Sequence, residues 1–137
     1  MSHQANPGTL HHVELYVNDL NRSVDFWEWF LLSLGYSPYQ SWPKGRSYKL
    51  GDTYLVFVQV EQRFTDIPYH RCRVGLNPLA FHASSREHVD RLTEQLRARG
   101  IIVLYSDRHP AASGAYAVFF EDPDRIKVEL VAPDVIQ

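Results

Sequence analysis

The feature that most constrains the fold is a strand-to-helix unit that occurs twice. From Leu10 to Leu20 the chain reads as a short strand running into a helix. Side chains alternate across a strand, so His12, Glu14 and Tyr16 share one face and Val13, Leu15 and Val17 share the other. One face is polar and chemically able, and the other is apolar and faces a core. Asp19 is placed to cap the helix, whose apolar stripe is Leu20, Val24, Trp27, Phe30, Leu31 and Leu34. Trp29 falls nearly opposite that stripe. Gly35 follows, suited to the left-handed position past a helix end. A second unit repeats this plan with a strand at Leu79 to Ala83 and a cap at Ser84 (with Glu87 three residues on) or Ser85. Its stripe is Val89, Leu92 and Leu96, and Gly100 closes it.

Each unit then continues into strands. Tyr36 to Lys44 reads as a turn-rich connection with Pro38, Trp42 and Pro43. Arg46 to Leu50 and Tyr54 to Val60 read as a hairpin about Gly51-Asp52. Gln62 to Asn77, with Pro68, His70, Cys72 and Gly75, is the least patterned stretch and carries the crossing between halves. In the second half, Ile101 to Tyr105 and Ala115 to Glu121 read as strands, with a loop from Asp107 to Gly114 between them. Asp122-Pro123-Asp124-Arg125 is a tight turn, and Ile126 to Val131 closes the sheet. These elements predict one α+β domain over residues 10–132, made of repeats at about 10–61 and 76–132, after a flexible tail at 1–9.

The repeat has a chemical consequence. Aligning the first strands lays His12 over Pro78. Setting the turns in register lays Glu129 over Phe57, with Gln59 two residues on along the same strand face. If both polar faces line one concavity, His12, Glu129 and Gln59 converge there.

A formal net charge of -2 gives no electrostatic case for a nucleic-acid or acidic membrane partner. Arg91, Arg97 and Arg99 near one helix end read as favourable dipole contacts. The single cysteine, Cys72, forms no internal disulfide and no paired redox or zinc motif. No run reaches the roughly 18 apolar residues of a membrane span, and the first nine residues lack the apolar centre of a signal peptide. The expectation is a soluble cytoplasmic protein. His3, His11, His70, His88 and His109 show no paired ligand spacing and are read as surface residues.

The chain resembles the vicinal oxygen chelate superfamily, which includes glyoxalase I, extradiol dioxygenases, fosfomycin-resistance thiol transferases and bleomycin-binding proteins. The resemblance rests on His12 seven residues before Asp19, Asp19-Leu20 with Ser23 and Phe26-Trp27, Gly35, the segment Phe119 to Asp124, and Lys127 to Leu130. It implies two βαβββ modules whose mixed sheets curl into a cup, with helices on the outer face. It also implies a divalent metal (Mn, Mg, Ni, Fe or Zn) held by His12, Glu129 and, near a usual fourth position, Gln59. Many relatives are homodimers, so a homodimer is expected.

One departure bears on that site. Metal-binding relatives usually carry histidine where this chain has Pro78, which offers no side-chain donor. His82 shares the strand face of Pro78 but lies about 13 Å further along it. Two protein ligands plus water suit a loosely held hard cation better than zinc. Arg125 replaces the glycine common after Asp-Pro-Asp, which alters the turn alone.

Two functional readings follow from the resemblance. In the first, the protein is a glyoxalase-like, metal-dependent lyase, isomerase or dioxygenase-like enzyme acting on a small organic molecule. Glu129 or Glu14 then moves a proton, and Tyr16, Phe57, His82 and Tyr116 shape the substrate pocket. For Glu14, orienting His12, acting as a base and being a solvated strand residue stand side by side. In the second, the cup holds an aromatic or drug-like ligand without metal, as bleomycin-binding relatives do.

Overall fold

The alternating segment forms strand β1, His12–Val17, and the capped stripe forms helix α1, Leu20–Ser33. The computed structural model describes residues 5–66 and 69–134; His3, Pro68 and the start of the expected tail lie outside the described residues. The chain divides into two compact units, 1–68 and 69–137.

In the first unit, β1 and α1 are followed by β2 (Ser37–Trp42), β3 (Gly45–Leu50) and β4 (Thr53–Gln59). The sheet order is β1-β4-β3-β2, with β1 parallel to β4 and the other pairs antiparallel. Asp19 accepts a hydrogen bond from Arg22 N at 3.3 Å, as its position before the stripe requires. Trp27, Phe30 and Leu31 are fully buried, and Trp27 stacks on Phe57 of β4 at 4.9 Å. Each such side chain contributes about 1.5–3 kcal/mol by leaving water. Phe26 is also buried, one position beyond the expected stripe.

The second unit repeats the plan with β5 (Leu79–His82), α2 (Arg86–Ala98), β6 (Ala117–Glu121) and β7 (Lys127–Val131). Its order is β5-β7-β6, with β5 parallel to β7 and β6 antiparallel to it. Ser85 is the cap, accepting from His88 N at 3.1 Å; the Ser84 hydroxyl instead lies 3.2 Å from the His88 ring. Val89, Leu92 and Leu96 are buried as the periodicity predicts. In the turn before β7, the Asp122 carboxylate accepts from Asp124 N and Ile126 N, both at 2.8 Å. Arg125 takes the left-handed position, φ 68°, that a glycine would fill without strain.

The α+β class holds, as two open mixed sheets of four and three strands with two helices. Three expectations are corrected. Ser37–Trp42 is an edge strand rather than a connection; it is exposed along its whole length and shows no apolar alternation. Ile101 to Tyr105 reduces to one bridge, Val103 to Phe120. The repeat register shifts by one residue: Glu14 pairs with Val56 as Ala80 pairs with Glu129, so Val56, not Phe57, is the counterpart of Glu129.

Candidate functional site

Pairing register decides which side chains share a face. In the first sheet, His12, Glu14 and Tyr16 lie opposite Tyr54, Val56 and Val58. The His12 ring stacks on Tyr54, with centroids 4.8 Å apart and planes within 5°. Tyr39 of the edge strand stands 5.2 Å from Tyr54, and Lys49 Nζ lies 4.7 Å over the Tyr39 ring. Tyr16 is 73% exposed. His12 Nε2 is 3.8 Å from Glu14 Oε1, with both side chains substantially open to water. At that distance the pair is not a hydrogen bond, and at that exposure it adds little stability. On the other side, His11 Nδ1 and His12 Nδ1 are 2.9 Å apart, so one ring donates and the other accepts.

Two predicted residues are not on this face. Phe57 is fully buried against Trp27 and faces α1. Gln59 is five strand positions from Tyr54 and so turns to the helix side. Its Oε1 accepts from Leu20 N at 2.9 Å, and its Nε2 donates to Asn18 O at 2.9 Å and Val60 O at 3.1 Å. That amide satisfies the start of α1 and is already committed.

In the second sheet, Ala80 pairs with Glu129 and His82 with Val131, so His82 shares the face of Glu129. His82 is exposed and borders a hollow of about 300 Å³ with Ala80, Val131 and Pro133. Glu129 is buried, and burial raises its carboxyl above the usual range against the opposing effects of Lys127 and a Ser113 hydrogen bond. Tyr116 lies on the helix side: its hydroxyl donates to Asp90 of α2 at 2.6 Å, and Arg86 lies over its ring. It does not join Glu129.

The structure adds residues that the sequence reading passed over. Tyr54 was recoverable from pairing the hairpin back onto β1. Lys127 was recoverable too, lying two residues before Glu129 on the same face. Lys127 Nζ donates to Tyr105 Oη at 2.9 Å, and Arg71 Nη1 reaches the same oxygen at 3.4 Å. The Lys127 hydrogen bond holds the Tyr105 phenol below its usual range. Tyr105 and Arg71 sit in irregular segments, where no periodicity marks them.

The donor chemistry does not fit a complete catalytic metal centre. Pro78 supplies no side-chain donor, the Gln59 amide is committed, and His12 Nδ1 is paired with His11 Nδ1, which leaves Nε2 as its one remaining ring nitrogen. Among the described residues, no three His, Cys, Asp or Glu side chains come together as a metal-binding group.

A family model for the glyoxalase/bleomycin resistance protein/dioxygenase superfamily matches residues 9–130. The chain belongs to this superfamily. The uncharacterized protein YqjT of Bacillus subtilis (strain 168) is 61% identical over 126 residues, covering 90% of this chain and 98% of YqjT. The crystal structure of a candidate glyoxalase from Bacillus halodurans superposes with a TM-score of 0.90 at 60% identity, over 93% of this chain and 97% of that one. A variant of the fosfomycin resistance protein FosX from Listeria monocytogenes, solved with Mn(II) and 1S,2S-dihydroxypropylphosphonic acid, shares the fold at a TM-score of 0.66 and 23% identity, covering 93% and 92% of the two chains. No helix among the described residues is long and apolar enough to cross a membrane.

Proposed function

We propose that this superfamily member binds a small organic molecule with an aromatic part, and that binding does not require a divalent ion. The observation that carries this reading is the polar face of the first sheet, where His12 is stacked on Tyr54 with Tyr39 beside it. Such a surface offers ring faces and edges to a flat ligand. The incomplete donor set argues in the same direction. The activity is sequestration, as in bleomycin-resistance proteins, and the family resemblance supports a homodimer.

A second reading, metal-assisted lyase or isomerase chemistry, is favoured by Glu129. Burial biases this carboxyl toward its protonated form, the state a proton-donating acid needs. The family resemblance assigns such an ion to His12 and Glu129; a Glu129 that held it would do so as the carboxylate and could not at the same time be the acid.

Chelator-stripped protein separates the two. Metal-free bleomycin and a panel of flat aromatic acids are titrated by calorimetry before and after Mn(II), Ni(II) or Zn(II) is added. The proposal expects a ligand that binds equally well in both states and about tenfold more weakly to Tyr54→Ala. Binding that appears only with metal, and is lost in both His12→Ala and Glu129→Ala, would establish the enzyme reading instead.

A further inference from the structure

The second unit carries a group of cations that the aromatic surface does not use. Lys127 Nζ donates to Tyr105 Oη at 2.9 Å and to Asn77 Oδ1 at 3.2 Å. Arg71 Nη1 reaches the same phenol oxygen at 3.4 Å, while its Nε donates to Glu121 at 2.7 Å. The Arg108 guanidinium lies 5.0 Å over the Tyr105 ring, and Lys127 lies over the Tyr105 and Phe119 rings at 4.9 and 5.0 Å.

Lysine and arginine have donors only, so the phenol oxygen accepts from both. Its own proton is then directed to an acceptor outside the pair. The Lys127 ammonium has a third hydrogen beyond its two contacts, and Arg71 has its second terminal nitrogen. Two charged donors and the phenol's own O–H thus meet at one oxygen. Lys127 lies opposite Glu121 in the sheet and acts on the charge of Glu129, and Glu121 is already bridged by Arg71 at 2.7 Å and by Arg125 at 3.5 Å. Tyr105 is held on a left-handed backbone, φ 54°, which a tyrosine adopts only where its surroundings enforce it.

We propose that Arg71, Tyr105 and Lys127 form a subsite for a small oxyanion, the carboxylate or phosphoryl group of an organic ligand. The subsite rests on the reading that the protein takes small organic molecules, and it adds that the second unit favours those with an acidic group. Convergent charged donors with a phenol O–H match an oxyanion's several lone pairs, and charge assistance makes each bond stronger than a neutral one.

The test is calorimetric titration of the whole chain with inorganic phosphate and, separately, with acetate at constant ionic strength. Binding of one or both is expected; the tighter anion identifies a phosphoryl or a carboxylate source. Lys127→Gln and Tyr105→Phe should each weaken binding by about tenfold. Lys127→Arg should retain most of it, and Arg63→Gln, paired with Glu61 in the first unit, should leave it unchanged. Circular dichroism confirms that the variants fold. No anion binding by the parent chain, or equal binding by Lys127→Gln and parent, overturns the subsite. Phosphate binding lost in Lys127→Gln but kept in Tyr54→Ala supports the subsite even where no aromatic ligand binds, so the two readings fail separately.

Discussion

The two sheets share a frame and differ in what they place on it. Each begins with a strand parallel to its last strand, followed by a helix capped by an Asp or Ser side chain. The first sheet has a stacked aromatic polar face, whereas the second has a buried carboxyl beside a cation-ringed phenol. The helix sides differ as well. Trp27 and Thr93 stand the same distance past their caps, one an aromatic anchor on Phe57, the other a buried hydroxyl bonded to Val89 O at 2.8 Å. Ser23 and Val89 form another such pair. The difference teaches that the repeat conserves main-chain geometry, through caps and register, while each half fills its interior and its polar face independently.

The strongest way to break this comparison is at the helix anchors. Trp27→Ala should cost about 3–5 kcal/mol and Thr93→Ala about 1 kcal/mol in urea unfolding. Equal losses would show that the halves do not differ in how their helices are held. Next is the altered ligand position. Pro78→His restores a donor, and calorimetry should show Ni(II) binding about tenfold tighter in the folded variant. Unchanged affinity would detach Pro78 from His12 as its counterpart.

Tyr48 sharpens the first unit's account through pH. Burial, and then its contact with Glu28 at 3.3 Å, push its phenol up to about 12 from an ordinary 10.0. The fold therefore favours the protonated phenol. Its stabilising effect is complete below pH 10 and is lost as pH rises toward 12. Tyr48→Phe should lower stability by about 1 kcal/mol at neutral pH and flatten that alkaline decline.

Smaller effects separate the two serines before α2. Ser85→Ala should cost about 1 kcal/mol and Ser84→Ala a few tenths, read from thermal midpoints. Ser23 gives the smallest effect. Among the described residues, its buried hydroxyl has no hydrogen-bond partner, so Ser23→Ala should be neutral or slightly stabilising.

The sequence carried the frame well because caps, stripes and alternation are local signals: Asp19, the leucines of α2 and the polar face of β1 were all legible. It carried the edge strand poorly, since Ser37–Trp42 is wet on both faces and contains Pro38, and such a segment looks like a loop. Which candidate residues share a strand face was half legible. His12, Glu14 and Tyr16, and separately Glu129 and His82, do share faces. Phe57 and Gln59 were misplaced because two turns of unequal length set the register, and a one-residue slip flips every side chain. Tyr116 fell to the same parity. Tyr105 and Arg71 left no signal at all, because irregular chain has no period to read.

Gln59 has a consequence for anyone who would rebuild a metal centre in this chain. Its amide acts as a clasp at the corner where β1 turns into α1, holding three main-chain groups at once. A histidine or glutamate grafted there would have to release that corner before it could reach an ion. Restoring chemistry by adding ligands therefore begins at Pro78, whose side chain fastens nothing of the kind, and leaves Gln59 as part of the scaffold.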